Sequence, residues 1–247
     1  MDLVSIIIPV YNIIFFREAF NSAYNQSYKK KEIIIIYDNN KKEDLEIINK
    51  IIYKKKNTKL INNKKNLGAG ISRNIGIKYS KGSYIAFLDA DDLWSRKKLA
   101  VQINFMKKNY VNFCHTTYRI IDKSGKFLNY RRAKKILNYK YLLKSCDIGL
   151  STVIVKKNFL KNNKFPKLKT KEDYVFWLKL LKQENIYGID KAYTVWRKLD
   201  NSLSSSYCQK ICDAFKVYNF YERFSVIQSV FMVLRLSYFY LIKNLSK

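Results

Sequence analysis

Short apolar runs alternate with amphipathic segments along the first 92 residues of the chain. The apolar runs predict strands at residues 4–8, 33–36, 58–61 and 84–88. The segments between them have apolar residues at helical spacing and predict helices over residues 15–24, 43–52 and 68–79. This β-α-β-α-β-α-β order indicates an α/β fold in which helices flank a mainly parallel sheet.

The second half of the chain has a mixed pattern. It predicts strands at residues 113–121, 151–155 and 187–196, and helices at residues 95–108 and 172–182. From residue 208 onward the pattern indicates two further helices. We therefore expect one main domain over residues 1–207 and a C-terminal amphipathic helical tail over residues 208–247.

The apolar stretch at residues 224–242 allows more than one interpretation. Its polar residues Ser225, Gln228, Ser229 and Arg235 fall on one side of a helix. A membrane span needs about 20 mostly apolar residues, and an arginine near its centre is costly. An amphipathic helix is favoured, which either lies in a membrane interface or packs on the main domain.

Acidic residues follow the predicted strands. Asp38 comes after the second strand, and Asp89, Asp91 and Asp92 come after the fourth. Ligands of parallel sheets bind beyond the carboxyl ends of the strands. Like charges about 4 Å apart repel by roughly 4 kcal/mol at an effective dielectric constant near 20, and a divalent cation such as Mg²⁺ or Mn²⁺ relieves that repulsion. Helix capping by Asp92 is the alternative, but it explains only one of the three carboxylates.

Four segments of the chain resemble glycosyltransferase family 2. They are SIIIPVYN at residues 5–12, NLGAGISRNIG at 66–76, GSYIAFLDADD at 82–92 and KEDYVFW at 171–177. The resemblance implies a GT-A fold, with a nucleotide-binding half over residues 1–92 and an acceptor half over residues 93–207. It also implies inverting transfer of a sugar from a nucleotide-diphosphate donor, UDP-linked in most members, to an acceptor hydroxyl. A lipid-linked saccharide used in surface-glycan assembly is the acceptor that the family suggests.

The resemblance also assigns roles to individual residues. It implies that Asp89 and Asp91 hold Mn²⁺ or Mg²⁺. The residues that it places at the donor are Pro9, Tyr11, Asn12, Asp38, Gly70, Arg73, Asp89 and Arg197. Members commonly have two aspartates followed by Gly-Ser after the second strand, whereas this chain has Asp38 followed by Asn39 and Asn40. One base-reading carboxylate therefore remains.

Two of these assignments have structural alternatives. Arg73 either faces the nucleotide or lies on the surface of a helix whose buried pair is Ile71 and Ile75. Asp173 matches the catalytic base of the family. It also completes a capping box with Thr170 ahead of an apolar helix. Both roles are compatible, because a helix N-terminus favours the ionised carboxylate that a general base requires.

Weaker patterns complete the candidate site. A Trp-Arg pair at residues 196–197 and a Ser-x-Ser loop at residues 202–204 resemble a diphosphate contact and a lid. Asp147 and residues 149–152 precede a strand and are candidates for the acceptor side, and His115 is expected to be a packed histidine. The chain has no Gln-x-x-Arg-Trp motif, the mark of processive synthases, so transfer of one sugar per encounter is favoured.

The formal net charge is +29. Its lysines are spread along the chain beside many Asn and Ile residues, which favours compositional bias with a general affinity for anionic surfaces. A membrane-facing role comes second. Specific nucleic-acid binding comes third, because no nucleic-acid motif supports it. A sugar-nucleotide-binding module without turnover is a further alternative to the enzyme.

The chain enters a strand directly after Asp2, which indicates no signal peptide. Its four cysteines lack zinc-type spacing. We therefore expect a cytoplasmic protein, in peripheral contact with the inner face of the cell membrane.

Overall fold

A computed structural model describes residues 2–199 and 207–245, and within these ranges ten strands form one sheet flanked by helices. The strands are β1 (Val4–Val10), β2 (Lys31–Tyr37), β3 (Thr58–Asn62), β4 (Tyr84–Phe87), β5 (Leu93–Trp94), β6 (Phe113–Ile121), β7 (Phe127–Arg131), β8 (Ile136–Leu137), β9 (Ile154–Lys156) and β10 (Ile186–Arg197). The helices are α1 (Phe16–Tyr24), α2 (Lys42–Ile52), α3 (Ala69–Tyr79), α4 (Lys98–Lys108), α5 (Tyr139–Leu142), α6 (Lys157–Leu160), α7 (Glu172–Leu181), α8 (Tyr207–Lys216) and α9 (Val226–Leu245). A 3-10 turn covers Leu150–Thr152, and a π-helical turn covers Val217–Tyr221.

The sheet has the order β3-β2-β1-β4-β9-β6-β10-β5, with β7 beside β6 and β8 beside β10. The first four strands are parallel, as the alternating pattern predicted. The second half is mixed, because β9 runs antiparallel to both β4 and β6. All four parallel strands of the first half therefore end at the same edge of the sheet.

The apolar runs fill the core on both faces of the sheet. Along β1, Ile7 belongs to one buried cluster, and Ile6 and Ile8 belong to the other. In the parallel register Ile7 lies beside Ile34 of β2 and Phe87 of β4. A strand buried on both faces is a nearly continuous apolar run, which is why these segments do not alternate regularly with polar residues.

Helix α3 buries a different face from the one predicted. Its buried residues are Gly70, Ser72, Arg73 and Gly76, whereas Ile71 and Ile75 are only partly buried. A side chain at Gly76 would collide with Ile7 of β1. The helix lies so close to the sheet that small residues, and not the isoleucine pair, form its inner face.

The region after the acidic residues also differs from the prediction. The helix expected from residue 95 begins at Lys98, after a turn over residues 95–97 that follows the short strand β5 beside β10. The Trp94 indole Nε1 donates to the carbonyl oxygen of Ser151, at 2.7 Å. The segment that was predicted as a strand from residue 151 begins instead as the 3-10 turn Leu150–Thr152.

The helical tail packs on the main domain with one side. Ala214, Val217, Tyr218 and three residues of α9 belong to the same buried cluster as Trp177 of α7. No helix among the described residues is both long and apolar enough to cross a bilayer. The expected polar stripe of α9 is divided, because Ser229 is fully buried and Gln228 is exposed.

Candidate active site

The end of β1 provides the exposed side of the candidate site. Tyr11 is 51% exposed and Asn12 is also exposed, just past the end of the strand, whereas Pro9 within β1 is partly buried. Asn39, from the loop after β2, donates its side-chain amide to the carbonyl oxygen of Tyr11 at 3.1 Å. This hydrogen bond joins the ends of the neighbouring parallel strands β1 and β2, next to the solvent-exposed ring of Tyr11.

Asp38 at the end of β2 organises the loop that leads into α3. Its residue is 2% exposed, and its carboxylate accepts hydrogen bonds from the Asn63 side chain and from the backbone of Leu67 and Gly68, at 2.8–2.9 Å. Gly68 has a φ of +90°, a conformation that favours glycine. To contact a nucleotide base, the Asp38 carboxylate would have to give up one of these hydrogen bonds or accept a further one.

The acidic loop after β4 is held by Ser151. The Ser151 hydroxyl donates to Asp92 Oδ2 at 2.6 Å and accepts from the backbone N–H of Asp89 at 3.0 Å. The other Asp92 oxygen accepts from the backbone N–H of Arg197 at 3.1 Å. Asp92 is therefore a buried bracing residue and not the helix cap that was considered. Asp89 and Asp91 remain only partly buried.

Arg73 joins this loop to the start of α7. Its Nη2 donates to Asp89 Oδ1 at 2.8 Å, and its Nη1 donates to Glu172 Oε1 at 2.7 Å. The guanidinium is buried and lies over the Phe165 ring. A buried arginine between two carboxylates fixes their relative positions. Arg73 thus ties together the two acidic elements of the site.

Gly70 allows α3 to approach this junction. A Cβ atom at Gly70 would lie 2.9 Å from the Pro166 carbonyl oxygen and 3.1 Å from Glu172 Cγ. Any side chain there would push α3 away from the start of α7. The glycine that the resemblance placed at the donor therefore lies against Glu172.

Asp173 opens α7 beside Glu172. Its Oδ1 accepts from the backbone N–H of Tyr174 at 2.7 Å. The predicted capping box does not form, because the Thr170 hydroxyl and backbone N–H both donate to Asp213 Oδ2 of α8 at 3.0 Å. Lys171, in a left-handed conformation, is the residue before the helix. Asp173 lies in the first turn, where the helix dipole favours its anion.

The carboxylates of this site are costly to ionise, mainly because they are buried. Burial, followed by the charge of Asp89, raises the pKa of Asp91 to about 6. Burial raises the pKa of Glu172 to about 7, although Arg73 opposes the rise. Burial also raises the pKa of Asp173, with Arg73 and Lys171 opposing. The neighbouring cationic side chains do not offset these rises, so a bound cation would stabilise the ionised form of the cluster.

The carboxylate oxygens of the acidic loop suit a metal ion that a bound ligand also coordinates. The described residues contain no group of three or more His, Cys, Asp or Glu side chains placed to hold a metal. Magnesium-type sites commonly use one or two carboxylates and complete their coordination with phosphate oxygens and water. Asp91, and the oxygen of Asp89 that Arg73 does not use, fit that pattern.

Arg197 braces the opposite side of the acidic loop. Its Nε donates to the Asp91 carbonyl oxygen at 3.2 Å, and its Nη2 contacts Glu18 Oε2 at 2.9 Å. The guanidinium carbon lies 4.0 Å from the centre of the Phe15 ring. Arg197 is 6% exposed, so in this structure it positions the backbone of Asp91. The Ser-x-Ser lid prediction falls on residues 202–204, outside the described residues.

The acceptor-side predictions have different outcomes. His115 is buried on β6, and burial lowers its pKa to about 4, which is the environment of a packed histidine. Asp147 contributes to that environment by opposing the shift. Within residues 149–152, Ser151 braces the acidic loop. Sequence reasoning missed the bracing roles of Ser151, Glu18 and Glu172, and only the Glu172-Asp173 pair gave a local signal.

Comparison with known proteins places these residues in a family. A model of glycosyl transferase family 2 matches residues 5–168. An uncharacterized glycosyltransferase of Haemophilus influenzae is 35% identical over 241 residues, covering 96% of each chain. The Escherichia coli protein named UDP-Glc:alpha-D-GlcNAc-diphosphoundecaprenol beta-1,3-glucosyltransferase WfaP is 40% identical over 204 residues, covering 79% of this chain and 78% of the relative.

Solved structures share the architecture. A fragment of S. aureus TarS, residues 1–349 in complex with UDP-GlcNAc, superposes with a TM-score of 0.74 at 22% identity, covering 94% of this chain and 70% of that fragment. The mannosyltransferase PcManGT from Pyrobaculum calidifontis, in complex with GDP-Man and Mn²⁺, has a TM-score of 0.68 at 15% identity, covering 90% and 64% of the two chains. The chain therefore belongs to glycosyl transferase family 2 and has the GT-A fold that its sequence motifs predicted.

Proposed function

We propose that this glycosyltransferase catalyses an inverting transfer of a sugar from a nucleoside-diphosphate donor, a UDP-sugar, to a hydroxyl group of a lipid-linked saccharide. The observation that carries the proposal is the junction in which Arg73 joins Asp89 to Glu172, next to Asp173. The junction joins two elements that are far apart in the chain. One is the acidic loop after β4, which we propose binds the donor diphosphate, and the other is the start of α7, which carries the candidate base. A module that only bound sugar nucleotide would not require a base beside the donor.

The donor lies along the carboxyl ends of β1, β2 and β4 in this proposal. The exposed ring of Tyr11 stacks on the base, and Asn12 and Asp38 supply polar contacts. Arg73 acts on the donor through Asp89, whose carboxylate it orients. Arg197 acts through the Asp91 backbone, because its own guanidinium is occupied by protein groups and an aromatic ring.

Asp89 and Asp91 would hold Mn²⁺ or Mg²⁺ in this proposal. A divalent cation there would supply electrostatic stabilisation of the departing diphosphate. It would also stabilise the ionised form of Asp91, whose pKa is raised by burial and by the charge of Asp89. The carboxylates suit a hard cation of this type.

Asp173 is the general base in this mechanism. The acceptor hydroxyl oxygen attacks the anomeric carbon while Asp173 takes its proton, and the bond to the diphosphate breaks with its electron pair on the leaving oxygen. Attack from the side opposite the leaving group inverts the anomeric configuration. The backbone N–H of Tyr174 donates to Oδ1 and fixes the carboxylate, and the N-terminus of α7 favours the ionised form that a general base requires.

The acceptor class rests on the relatives. WfaP acts, by its name, on a sugar attached to diphosphoundecaprenol. An acceptor of this kind is held by a bilayer, so the enzyme would work at the inner face of the membrane by peripheral contact. The basic charge of +29 favours an anionic lipid surface.

Transfer to a synthetic acceptor tests the function. The purified chain is incubated with UDP-glucose or UDP-GlcNAc, Mn²⁺ and a GlcNAc-diphospho-alkyl acceptor, and the products are identified by mass spectrometry and NMR. We expect a disaccharide whose new linkage has the opposite anomeric configuration to the donor. Donor binding without transfer or hydrolysis, across a panel of sugar nucleotides and acceptors, would instead identify a binding module.

A further inference from the structure

Helix α9 has two apolar faces, and only one of them packs on the protein. Met232, Val233 and Leu236 are buried in the core cluster of the main domain. The opposite face carries six exposed apolar side chains, most of them three or four residues apart. These are Ile227, Val230, Phe231, Leu234, Tyr238 and Leu241, and we call them the exposed α9 face.

This face is unusual for a protein surface in water. Ile227 is 83% exposed and Leu234 is 64% exposed, and both belong to one continuous stripe. Scattered apolar residues are normal on surfaces, but a continuous apolar patch marks an interaction site. The stripe runs along a helix of 20 residues, which is about 30 Å long.

The charged side chains that the structure describes in and just before α9 are basic. They are Arg223 and Arg235, and the sequence has no acidic residue from 223 onward. The two acidic residues earlier in the tail are buried and paired: Asp213 accepts from Thr170, and Glu222 pairs with Lys182. The surface that the described tail presents is therefore apolar and basic, which suits an anionic lipid surface.

A second copy of the chain fits this face less well. Each copy has a formal charge of +29, and pairing two such faces would bring their basic flanks together. Insertion across the bilayer also conflicts with the structure, since the other side of α9 is packed into the domain. A helix lying in the membrane plane satisfies both faces at once.

We infer that the exposed α9 face is the membrane-docking surface of this enzyme, with its apolar side chains in the boundary between headgroups and acyl chains of an anionic bilayer. The inference rests on the proposed function only in explaining why the enzyme would dock on a membrane, namely to reach a lipid-linked acceptor. It assigns a different role to each side of one helix: the inner side anchors α9 to the catalytic domain and the outer side holds that domain at the lipid surface.

Vesicle binding tests the surface without any sugar nucleotide or acceptor, so a failure of the proposed transfer reaction leaves this test intact. The full chain is sedimented with phosphatidylglycerol–phosphatidylethanolamine vesicles and with phosphatidylcholine vesicles at physiological ionic strength. The variant Ile227→Gln/Leu234→Gln should partition onto the anionic vesicles about tenfold or more less strongly than the wild type. The matched control Tyr53→Gln/Tyr110→Gln removes two exposed aromatic side chains on other elements and should bind within about twofold of the wild type.

A second variant reports insertion directly. Relative to the wild type, the tryptophan fluorescence of Phe231→Trp should shift to the blue with anionic vesicles and be quenched by brominated acyl chains, if the face enters the lipid. Equal vesicle binding by the wild type and the Gln variant, or no fluorescence shift in the Phe231→Trp variant, would overturn the proposal. So would a wild-type dimer that the Gln variant disrupts, or a large fall in the variant's melting temperature, since either result would show that the face is covered by protein.

Discussion

The junction at Arg73 and the surface of α9 depart from ordinary protein architecture in opposite ways. At the junction the protein buries charge: Arg73 is 4% exposed between Asp89 and Glu172. On α9 it exposes apolar groups that would stabilise the fold if they were buried. Buried charges need partners to be tolerated, and exposed apolar stripes need a surface to cover them. Both departures therefore point to functional sites, one for ionic and one for lipid chemistry.

The largest expected effect concerns the cation at the acidic loop. Asp91→Asn should abolish Mn²⁺-dependent binding of UDP while leaving the fold intact, because Asp91 is partly exposed and its side chain braces no described element. Isothermal calorimetry with UDP and Mn²⁺ measures the loss. Asp44→Asn, which makes the same charge change in the first turn of α2, is the control and should bind normally. Unchanged affinity of Asp91→Asn would remove the metal assignment.

Breaking the buried junction should cost stability. Arg73→Met leaves Glu172 without its partner and should lower the free energy of unfolding by about 3 kcal/mol. Adding Glu172→Gln should recover part of that loss, because the unpaired buried charge is then removed. Urea unfolding of the wild type, the two single variants and the double variant gives a double-mutant cycle for this ion pair. Additive losses would show that the ion pair is not a coupled unit.

Substituting two leucines of α9 compares how much its inner and outer faces contribute to stability. Leu236 is 8% exposed and Leu234 is 64% exposed. Leu236→Ala should lower the free energy of unfolding by about 2 kcal/mol through lost burial, whereas Leu234→Ala should change it by less than about 0.5 kcal/mol. Thermal and urea unfolding provide the values. Similar losses at the two positions would mean that the outer side of α9 is also packed.

The smallest expected effect is a pH dependence of cation binding. The pKa of Asp91 is raised to about 6 by burial and by Asp89, so below that pH its carboxyl group carries a proton that the cation must displace. The apparent Mn²⁺ affinity should therefore fall as pH decreases through 6, by up to about tenfold per pH unit. Calorimetry at pH 5, 6 and 7 checks the slope. An affinity independent of pH would show that Asp91 is not a ligand.

The sequence predicted the elements whose causes are local. The isoleucine runs of β1 and β2 and the carboxylates after β4 can be read without tertiary information, because apolar runs form buried strands and strand ends collect ligand groups. The family resemblance then identified the fold and Asp173 as the candidate base. That assignment remains a prediction, as do the donor roles.

Long-range partners could not be predicted in the same way. Arg73 and Glu172 lie 99 positions apart in the chain, and Thr170 donates to Asp213 instead of capping its own helix. The inner face of α3 depends on how closely the helix approaches Ile7. The outer face of α9 was hidden because its polar residues suggested a single amphipathic direction, whereas packing buried Ser229 and exposed Leu234.

Kinetics of Asp173→Asn test the central claim most directly. Melting temperature, UDP-sugar affinity and turnover are measured on the same preparation, beside wild type. A general base predicts near-normal donor affinity and a transfer rate reduced by a factor of roughly 10² or more. A purely structural carboxylate in the first turn of α7 predicts a loss of about 1 kcal/mol in stability with little change in rate. Near-wild-type turnover would contradict the account and place the base elsewhere.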